Sequence, residues 1–443
     1  MSYAAAIEQL NAMIPELYAI QGPARRKFSL NEIRTLLEPM GNPHRRFLSV
    51  LIAGTNGKGS TAATLASILT ESGLCAGLYT SPHLVRANER IRIDRVEIGD
   101  DAFAAFYFRV HDAAQQLVLE GRLNHLPSYF EMLTAQAFLC FADGKVDIAV
   151  LEVGMGGRLD ATNIVNPLLS IVTDISFDHM EWLGSTIAEI AREKAGILRP
   201  HGTLITLPQH PEANQVLGEV AESLEVRGVS ATRYMPGSEA GAAGPYRVET
   251  LGATIEVDSP LTGAHQHRNA ALAIAAAVEL AEKHSFPISP ESIAAGIRKT
   301  VWPGRLERLK ANDVDWILDV AHNPAGVWAL RAGLRDVFEA DHPRTLVFSC
   351  LCDKPVAELA QILFPVFDQV ILAPIRSPRA TSMEDLLAAA RATGTDALAA
   401  ESVVHALRMA QNRAGGGAVV VSGSVYLVGA ARSILLATDG VRP

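Results

Sequence analysis

Cysteine, blocks of like charge and long apolar runs are scarce or missing in this sequence. Four cysteines in 443 residues are too few for a disulfide framework. No uninterrupted apolar stretch approaches the roughly 20 residues of a membrane span. Lys and Arg are spread along a chain whose net charge is −9, so no nucleic-acid or membrane-surface footprint is indicated. These absences leave a small-molecule substrate as the expected partner, with no nucleic acid and no membrane.

The N-terminal residues 1–10 lack the charged n-region, the apolar h-region and the cleavage site of a secretory signal. We therefore expect a cytoplasmic protein. Apolar residues make up 49% of the chain and charged residues 20%, as in ordinary globular proteins. A chain of 443 residues exceeds the size at which one hydrophobic core keeps growing, so we expect more than one domain.

Buried-strand patterns alternate with helical patterns along the chain. A Gly-rich turn follows the first strand and a helix pattern follows that turn, and after residue 301 a second alternation begins. Between the two alternations, residues 227–257 predict a loop-rich β excursion before a helix over 269–283. The predicted strands cover residues 47–53, 146–153, 168–173, 316–320, 346–351, 370–373 and 418–422. This order predicts an α/β fold of parallel βαβ units, with domains at 1–300 and 301–443 and ligands at the carboxyl ends of the strands.

The segment 54–60 reads Gly-Thr-Asn-Gly-Lys-Gly-Ser and lies between a predicted strand and a predicted helix. Backbone N–H groups and the helix N-terminus can hold phosphates there, Lys58 can reach the β and γ oxygens, and Ser60 can contact the metal. The spacing departs from the ordinary P-loop, because Gly59 stands between the lysine and the hydroxyl residue. We interpret the segment as a nucleotide site; the alternative is a Gly-rich turn without a ligand.

Polar groups follow several other predicted strands. Glu152 ends one of them, where a hard cation such as Mg²⁺ finds the oxygen ligand it prefers. His179 follows the next strand, as a candidate ligand or a structural histidine. In the second half, Asp319 and His322 follow a strand, and Arg305 lies at the predicted hinge, where it either contacts ATP phosphates or is a solvated linker charge.

Lys194 lies in a predicted helix without a carboxylate three or four positions away. Its neighbours at those spacings are apolar, and desolvation lowers the pKa of a lysine on an apolar face, which makes a neutral, reactive amine available. The alternative is a lysine whose stem is buried and whose ammonium reaches solvent.

Taken together, these motifs closely resemble the folylpolyglutamate synthase and dihydrofolate synthase family. They occupy residues 54–60, 80–83, 151–154, 157–163, 177–179, 192–196, 303–305 and 319–324. The resemblance implies a Mur-ligase architecture, in which a P-loop-containing central domain with a parallel sheet is joined to a smaller Rossmann-like C-terminal domain. It also implies an active site in the cleft between the two domains. The chain departs from bacterial bifunctional relatives in carrying Arg268 before Asn269, where those often carry proline.

The resemblance also implies roles for individual residues. The nucleotide would be held by Thr55, Asn56, Gly57, Lys58, Gly59, Ser60, Asn269, Arg305 and Asp319. Magnesium would be held by Ser60, Ser81, Glu152 and His179. Lys58, Lys194 and His322 would be catalytic, with Lys194 carboxylated. The implied cofactors are ATP and Mg²⁺, as a pair of ions, with room for a monovalent cation.

A further segment resembles the dihydropteroate-binding part of bifunctional bacterial members. It comprises Ser128, Tyr129, Phe130 and Glu131, together with Leu159, Asp160 and Ala161. The resemblance therefore implies both activities: ATP would phosphorylate a pteroate or folate carboxylate, and L-glutamate would attack the acyl phosphate to form an amide, releasing ADP and phosphate. The expected substrates are dihydropteroate, reduced folates and L-glutamate, acted on by a monomer.

Three alternatives stay open at this point. The chain could have folylpolyglutamate synthase activity only, or be another Mur-type amide ligase. A muramyl ligase would place a nucleotide-sugar domain before the phosphate loop. Only 53 residues precede Gly54, so we do not expect that domain in this chain. A P-loop switch or regulatory binding module would not need Arg305 and Asp319 in a second domain.

Overall fold

The computed structural model describes residues 2–13, 29–237, 244–336 and 343–438, and these ranges form an eight-stranded sheet, a two-stranded hairpin and a six-stranded sheet. The strands are β1 (Leu48–Ala53), β2 (Ala76–Tyr79), β3 (Ile91–Ile93), β4 (Val96–Glu97), β5 (Ile148–Glu152), β6 (Leu169–Val172), β7 (Thr203–Thr206), β8 (Arg227–Ser230), β9 (Tyr246–Thr250), β10 (Ala253–Val257), β11 (Glu307–Ala311), β12 (Val314–Leu318), β13 (Thr345–Phe348), β14 (Gln369–Leu372), β15 (Ala397–Ala399) and β16 (Ala418–Ser422).

Helices connect and cover these strands. They are α1 (Tyr3–Ala12), α2 (Leu30–Leu37), α3 (Lys58–Glu71), α4 (Asp100–Leu119), α5 (Tyr129–Asp143), α6 (Met180–Leu183), α7 (Ile187–Ala195), α8 (Pro211–Ser223), α9 (Ala264–His284), α10 (Pro290–Arg298), α11 (Pro324–Gly333), α12 (Val356–Leu363), α13 (Met383–Ala392), α14 (Val403–Arg413) and α15 (Val425–Thr438). Within the described ranges, no helix is long and apolar enough to cross a membrane.

The eight-stranded sheet has the order β4-β3-β2-β5-β1-β6-β7-β8. The six strands from β2 to β8 run parallel, and β3 and β4 add an antiparallel edge. From β1 the chain moves to one side of the sheet for β2 and β5, and from β6 onward it occupies the other side. The loops after β1, β5 and β6 therefore meet at a topological switch point, where open α/β sheets bind ligands.

The six-stranded sheet has the order β11-β12-β16-β13-β14-β15, parallel except for the β11–β12 hairpin. Both large sheets are mixed α/β and rich in parallel strands, so the predicted fold class is confirmed. The antiparallel strands β3, β4 and β11 were not predicted, because short edge strands leave little periodic signal.

Both faces of each large sheet are buried, which explains the nearly continuous apolar runs in the sequence. In β1, Val50 and Ile52 face one apolar core while Leu51 and Ala53 face another. The six-stranded sheet is covered in the same way, with Leu346 and Val347 of β13 in different cores.

Helix α3 carries the phosphate loop at its N-terminus and is almost entirely buried. Helix α10 approaches α3 very closely at Gly296, where an added Cβ would lie 2.4 Å from the Ile68 Cα. Ser67 Oγ donates to the Gly296 carbonyl at 2.7 Å across the same contact. A glycine is required at this crossing because the two backbones leave no room for a side chain, and the contact fixes the phosphate loop on the sheet.

Two predicted segments differ in the structure. Residues 227–230, predicted as part of a loop-rich excursion, form β8 at the edge of the eight-stranded sheet, parallel to β7. Helix α9 begins at Ala264, five residues before its predicted start, so that Asn269 lies inside the helix and not at its N-terminus. Tertiary pairing decides the first of these differences, since an exposed edge strand has little apolar pattern of its own.

Candidate functional site

The carboxyl ends of the two large sheets face each other across a cavity of about 590 Å³. Loops that follow β5 and β6 supply one wall, and loops that follow β12, β13 and β16 supply residues of the other. Ten of the predicted site residues line this cavity: Ser81, Ser128, Tyr129, Phe130, Glu131, Leu159, Asp160, Ala161, His179 and His322. The structure therefore brings together residues that the sequence offered as metal, substrate and catalytic groups.

The phosphate loop lies at the end of β1, and its backbone has two halves. The Thr55 and Asn56 amides both donate to the Asp174 carbonyl, at 2.8 and 3.2 Å, and so stabilise the loop itself. The amides of Lys58, Gly59 and Ser60 begin α3, and no described residue accepts from them. Three free amides at a helix N-terminus are donors suited to phosphate oxygens.

Asn269 supports the loop from behind. A Cβ added to Gly57, whose φ is +88°, would lie 2.2 Å from the Asn269 Oδ1, so this glycine allows the amide to approach the backbone. Arg268, the residue before Asn269, makes a bidentate contact to the Asp174 carboxylate at 2.6 to 3.1 Å. This arginine thus gives the base of the loop an ion pair.

Two lysine ammonium groups meet at the Gly54 carbonyl. Lys58 Nζ donates to it at 3.1 Å and Lys194 Nζ at 2.8 Å. Lys194 is only 3% exposed, so the alternative of a lysine that reaches solvent is wrong. Burial, and then the Lys58 charge, lower the pKa of Lys194 to about 7, against the opposing effect of Asp178 and Asp160.

Three of the predicted metal ligands follow or end elements of the central sheet: Glu152 ends β5, Ser81 follows β2 and Ser60 lies in the first turn of α3. The Glu152 carboxylate accepts from the Ser81 amide at 3.0 Å, and burial raises its pKa. Ser60 Oγ is buried and has no hydrogen-bond partner among the described residues. A buried carboxylate and an unpartnered hydroxyl leave oxygen atoms that a hard cation would satisfy, so these residues fit Mg²⁺. No group of three or more His, Cys, Asp or Glu side chains suited to a metal occurs in the described ranges, which means that such a site would depend on hydroxyl oxygens as well.

Asp178 contacts groups from both sheets. Lys354, which follows β13, places its Nζ 2.5 Å from the Asp178 Oδ1, and Asn323 donates to Oδ2 at 3.1 Å. The Nε2 atoms of His322 and His179 lie 3.6 and 4.0 Å from this carboxylate. Burial by itself would raise the pKa of Asp178, but the two histidine rings and the Lys354 ammonium hold it well below its usual range.

Sequence reasoning missed Lys354 altogether. It predicted a buried strand over residues 346–351, whereas β13 ends at Phe348. Lys354 lies six positions beyond the end of β13, so the pattern that singled out Glu152, a polar residue at the end of a buried strand, gave no signal for it. A second contact between the sheets was missed as well: Asn56 and Asn323 exchange amide hydrogen bonds of 3.2 and 3.0 Å.

Arg305 and Asp319 lie where the chain passes from one large sheet to the other. Asp319 accepts from the backbone amides of Leu306 and Ala321 at 2.9 and 2.8 Å, which ties the connection to the end of β12. Burial lowers the pKa of Arg305, and the nearby Asp319 and Glu152 carboxylates oppose that shift. Arg305 is therefore not a solvated linker charge, because it is half-buried and interacts electrostatically with a carboxylate from each sheet.

The predicted substrate residues also have local structural roles. Ser128 and Glu131 form a capping box at the start of α5. Asp160 is buried, and its carboxylate accepts from the amides of Gly154, Met155 and Thr162 at 2.9 to 3.1 Å. These carboxylates shape the wall of the cavity and are already hydrogen-bonded within the chain.

Arg90, Tyr129 and His83 contact one another in the wall of the same cavity. The Arg90 guanidinium covers the Tyr129 ring, 5.4 Å from its centroid, and Arg90 Nε donates to His83 Nδ1 at 2.9 Å. Burial and the Arg90 charge lower the pKa of His83 to about 3. Arg90 and His83 line the same cavity as Tyr129, although sequence reasoning gave neither a role.

Comparison with known proteins gives two family matches. The Mur ligase middle domain matches residues 52–277, and the Mur ligase, glutamate ligase domain matches residues 304–425. The dihydrofolate synthase/folylpolyglutamate synthase of Bacillus subtilis (strain 168) is 35% identical over 408 residues, covering 91% of this chain and 94% of the relative. The protein of that name from Mycobacterium tuberculosis is 36% identical over 442 residues, covering 92% and 90%.

Solved structures agree with these relatives. The Mycobacterium tuberculosis folylpolyglutamate synthase complexed with ADP and AMPPCP has a TM-score of 0.86 and 33% identity, with full coverage of both chains. A structure described as an FPGS-AMPPCP-folate complex has a TM-score of 0.84 and 31% identity, and covers 98% of this chain and all of the other.

Proposed function

The chain belongs to the Mur ligase family, among the dihydrofolate synthases and folylpolyglutamate synthases, and from that premise we propose how its site works. It is an ATP-dependent ligase that joins glutamate to a pteroate or folate carboxylate. The observation that supports this function is the cavity of about 590 Å³ between the two sheets, whose wall includes Ser81 beside Glu152 and the predicted substrate segment.

We propose that the reaction passes through an acyl phosphate. A substrate carboxylate oxygen attacks the γ-phosphorus of ATP, the bond to the β,γ-bridging oxygen breaks, and ADP leaves. The amine of glutamate then attacks the acyl carbon, the carbon–oxygen bond breaks, and phosphate and a proton leave. The free amides at the start of α3 support this route, since a loop that holds the β and γ phosphates favours transfer of the γ group.

The residues of the phosphate loop have separate proposed roles. Lys58 would leave the Gly54 carbonyl and neutralise charge on the transferring group, where electrostatic stabilisation is worth about 3 kcal/mol or more. Gly57, Gly59 and Ser60 would surround the phosphates. Thr55 and Asn56, whose amides are engaged by Asp174, would keep the loop in shape.

The remaining nucleotide contacts would come from the hinge and from α9. Asn269, Arg305 and Asp319 would complete the ATP site, and His322 would face the γ-phosphate. Support comes from the electrostatic interaction of Arg305 with Asp319 and Glu152, and from the position of His322 in the cavity wall.

We propose that Mg²⁺ is held by Ser60, Ser81, Glu152 and His179. Bound there, the ion would neutralise charge on the phosphate oxygens. The protein's own contribution is a buried, singly hydrogen-bonded carboxylate at Glu152 and an unpartnered hydroxyl at Ser60.

We propose further that Lys194 is carboxylated by CO₂. Its neutral amine would attack the carbon of CO₂, and the product is a carbamate anion plus a released proton. Support comes from a buried position and a pKa lowered to about 7 by burial and by Lys58. Carboxylation would replace one of the two ammonium groups at the Gly54 carbonyl by an anion, which removes a costly buried cation.

The finer substrate assignment is that both dihydropteroate and reduced folates are used, with Tyr129 and Phe130 lining the dihydropteroate site. The alternative is folylpolyglutamate synthase activity only. Phosphate release with dihydropteroate and with tetrahydrofolate, each with glutamate, tests the choice. We expect both to support turnover, and Phe130→Ala to reduce use of dihydropteroate more than use of tetrahydrofolate. No turnover with dihydropteroate would leave the single activity, and equal losses would remove the case for a separate site.

Three further proposals concern the domain boundary, the oligomeric state and the location of the protein. We place the domain boundary near residue 300, supported by the family matches that end at 277 and resume at 304. We propose a monomer, since one chain supplies both walls of the cavity. We propose a cytoplasmic location, which suits a chain whose four cysteines are all free thiols.

A further inference from the structure

Arg90 is an unusual group in the cavity between the sheets. It ends a short 3-10 helix (Ala87–Arg90), it is only 7% exposed, and it lines the cavity. Guanidinium groups this deeply buried are ordinarily paired with a carboxylate, because an unpaired buried charge is costly. Its partners are instead neutral: the His83 ring accepts from Nε, and the Tyr129 ring covers one face.

These two contacts leave one part of the guanidinium unused. Nη1 and Nη2 have no hydrogen-bond acceptor and no carboxylate among the described residues, whereas Nε is occupied and the face is covered. The edge formed by Nη1 and Nη2 is the part of a guanidinium that binds a carboxylate through two parallel hydrogen bonds. Tyr129 and His83 fix its orientation, so the side chain is arranged for a ligand before the ligand arrives.

The other charged groups of the cavity wall cannot take this role. Lys354, Arg379 and Arg158 each contact a carboxylate of the chain, at 2.5, 2.6 and 2.9 Å. The carboxylates of the wall are engaged as well, Glu131 by the Ser128 amide and Asp160 by three backbone amides. Among the Lys and Arg side chains of this wall in the described ranges, Arg90 alone has no carboxylate partner.

The position of Arg90 indicates which anion would match it. The Thr80 amide donates to the Arg90 carbonyl at 3.0 Å, and the next amide, of Ser81, donates to the Glu152 carboxylate at 3.0 Å. Arg90 thus lies at the end of the cavity next to the phosphate-transfer groups. A ligand carboxylate held there is the one placed for phosphorylation.

We propose that Arg90 is a specificity-determining residue that binds the reacting carboxylate of the pteroate or folate substrate through Nη1 and Nη2. His83, which must accept from Arg90 Nε at its unprotonated Nδ1, carries any ring proton on Nε2 and is positioned by the same contact. This inference rests on the proposed function, since it concerns how that substrate is held and oriented.

The test compares two ligands that differ only at the carboxylate, pteroate and its carboxamide. Their affinities are measured by calorimetry with the full chain, a non-hydrolysable ATP analogue and Mg²⁺. We expect wild type to prefer the acid at least tenfold. Arg90→Met should bind the acid about 30-fold more weakly, because a buried charge pair loses one partner, and should bind the amide as wild type does. Arg90→Lys keeps the positive charge but lacks the two parallel N–H donors, so its affinity for the acid should lie between those of wild type and Arg90→Met.

Arg158→Met is the matched control, because Arg158 lines the same cavity but is already paired with Glu193. It should keep the preference for the acid. The proposal is overturned if Arg90→Met retains that preference, or if it weakens acid and amide equally, which is the result of a purely structural role. If wild type binds neither ligand, the proposed function itself fails.

Discussion

At the scale of single residues, two lysines compete for one backbone oxygen. Lys58 and Lys194 both donate to the Gly54 carbonyl, and one of them is almost fully buried. Two cations that share an acceptor raise each other's cost, which is why the Lys58 charge adds to burial in lowering the pKa of Lys194. The repulsion between the two ammonium groups is removed if Lys58 moves to the phosphates and Lys194 becomes an anion.

A prediction for Lys194 follows from this arrangement. Lys194→Met keeps the apolar stem and removes the amine, and we expect a loss of activity on the order of 10²-fold, comparable to loss of another electrostatic group at a reacting centre. Formate or acetate should restore part of the activity by occupying the anion position. Wild type prepared in ¹³C-bicarbonate should show a carbamate carbon signal by NMR that Lys194→Met lacks.

Lys58→Ala provides the control for this rescue, because Lys58 acts as a cation and small carboxylates should not restore its activity. Because the neutral amine is the reactive form, CO₂-depleted enzyme should regain activity with bicarbonate faster above the Lys194 pKa of about 7 than below it. A fully active enzyme without a carbamate signal would contradict the modification.

At the scale of elements, the phosphate loop depends on how α3 is held at both ends. Its N-terminus is fixed by the contacts of Thr55 and Asn56 to Asp174, and its centre by the close crossing with α10. At its C-terminal end, Glu71 accepts from Arg95 at 2.6 Å and from Lys299 at 2.7 Å. This double pair joins α3 to the β3–β4 turn and to the residue that follows α10.

We predict that Glu71→Gln lowers the free energy of unfolding by about 1 kcal/mol near neutral pH, as a small charge network at the surface does. The Lys299 hydrogen bond, and then Arg95, lower the pKa of Glu71. Its contribution is therefore complete above the ordinary carboxyl pKa of about 4.3 and is lost as the pH falls through the lowered value.

Urea unfolding near neutral pH and again at about pH 3 measures this difference, which should shrink in acid as the Glu71 carboxylate of wild type becomes protonated. Glu219→Gln is the control, since Glu219 pairs with Arg192 at 3.4 Å on an exposed surface and should change little. A Glu71 effect of equal size at both pH values would show that packing, and not charge, is responsible.

At the scale of the whole molecule, the two large sheets are joined through polar groups at the edge of the cavity. The Asp178–Lys354 pair and the reciprocal amides of Asn56 and Asn323 connect the loops after β1 and β6 to those after β12 and β13. Both Asp178 and Lys354 have side chains that are less than a tenth exposed, at 8% and 5%. Removal of one partner therefore leaves a buried charge without compensation.

We predict that Lys354→Met weakens the contact between the sheets by about 3 kcal/mol and lowers activity, because the buried Asp178 carboxylate loses its ammonium partner. Calorimetry should show one cooperative transition in wild type and two in the variant, as the halves unfold separately. The double variant Asp178→Asn/Lys354→Met should recover much of the lost stability, since no unpaired charge remains.

Lys310→Met, on the exposed β11 strand, is the control and should behave as wild type. If the double variant is as unstable as Lys354→Met alone, the unpaired charge is not the cause. A single transition in Lys354→Met would mean that other contacts couple the sheets.

The sequence by itself determined the α/β class, the buried strands that carry the site and the residue types offered there. Each of those is a local property: apolar runs mark buried strands, Glu152 ends such a strand, and Lys58, His179 and Asp319 follow others. Because parallel strands bring their carboxyl ends to one edge, residues far apart in the chain were predicted to meet without any knowledge of the contacts. Motif resemblance then supplied the family.

Only the tertiary structure decided which charges are paired and which are unmatched. Asp178 and Lys354 are 176 positions apart, and no local pattern links them. Arg90 has the sequence surroundings of an ordinary surface arginine, yet folding buries it beside His83 and Tyr129 without a carboxylate. Pairing and burial depend on the path of the whole chain, because they are set by what packs on each side chain from distant elements, and the site's selectivity is expected to follow from them.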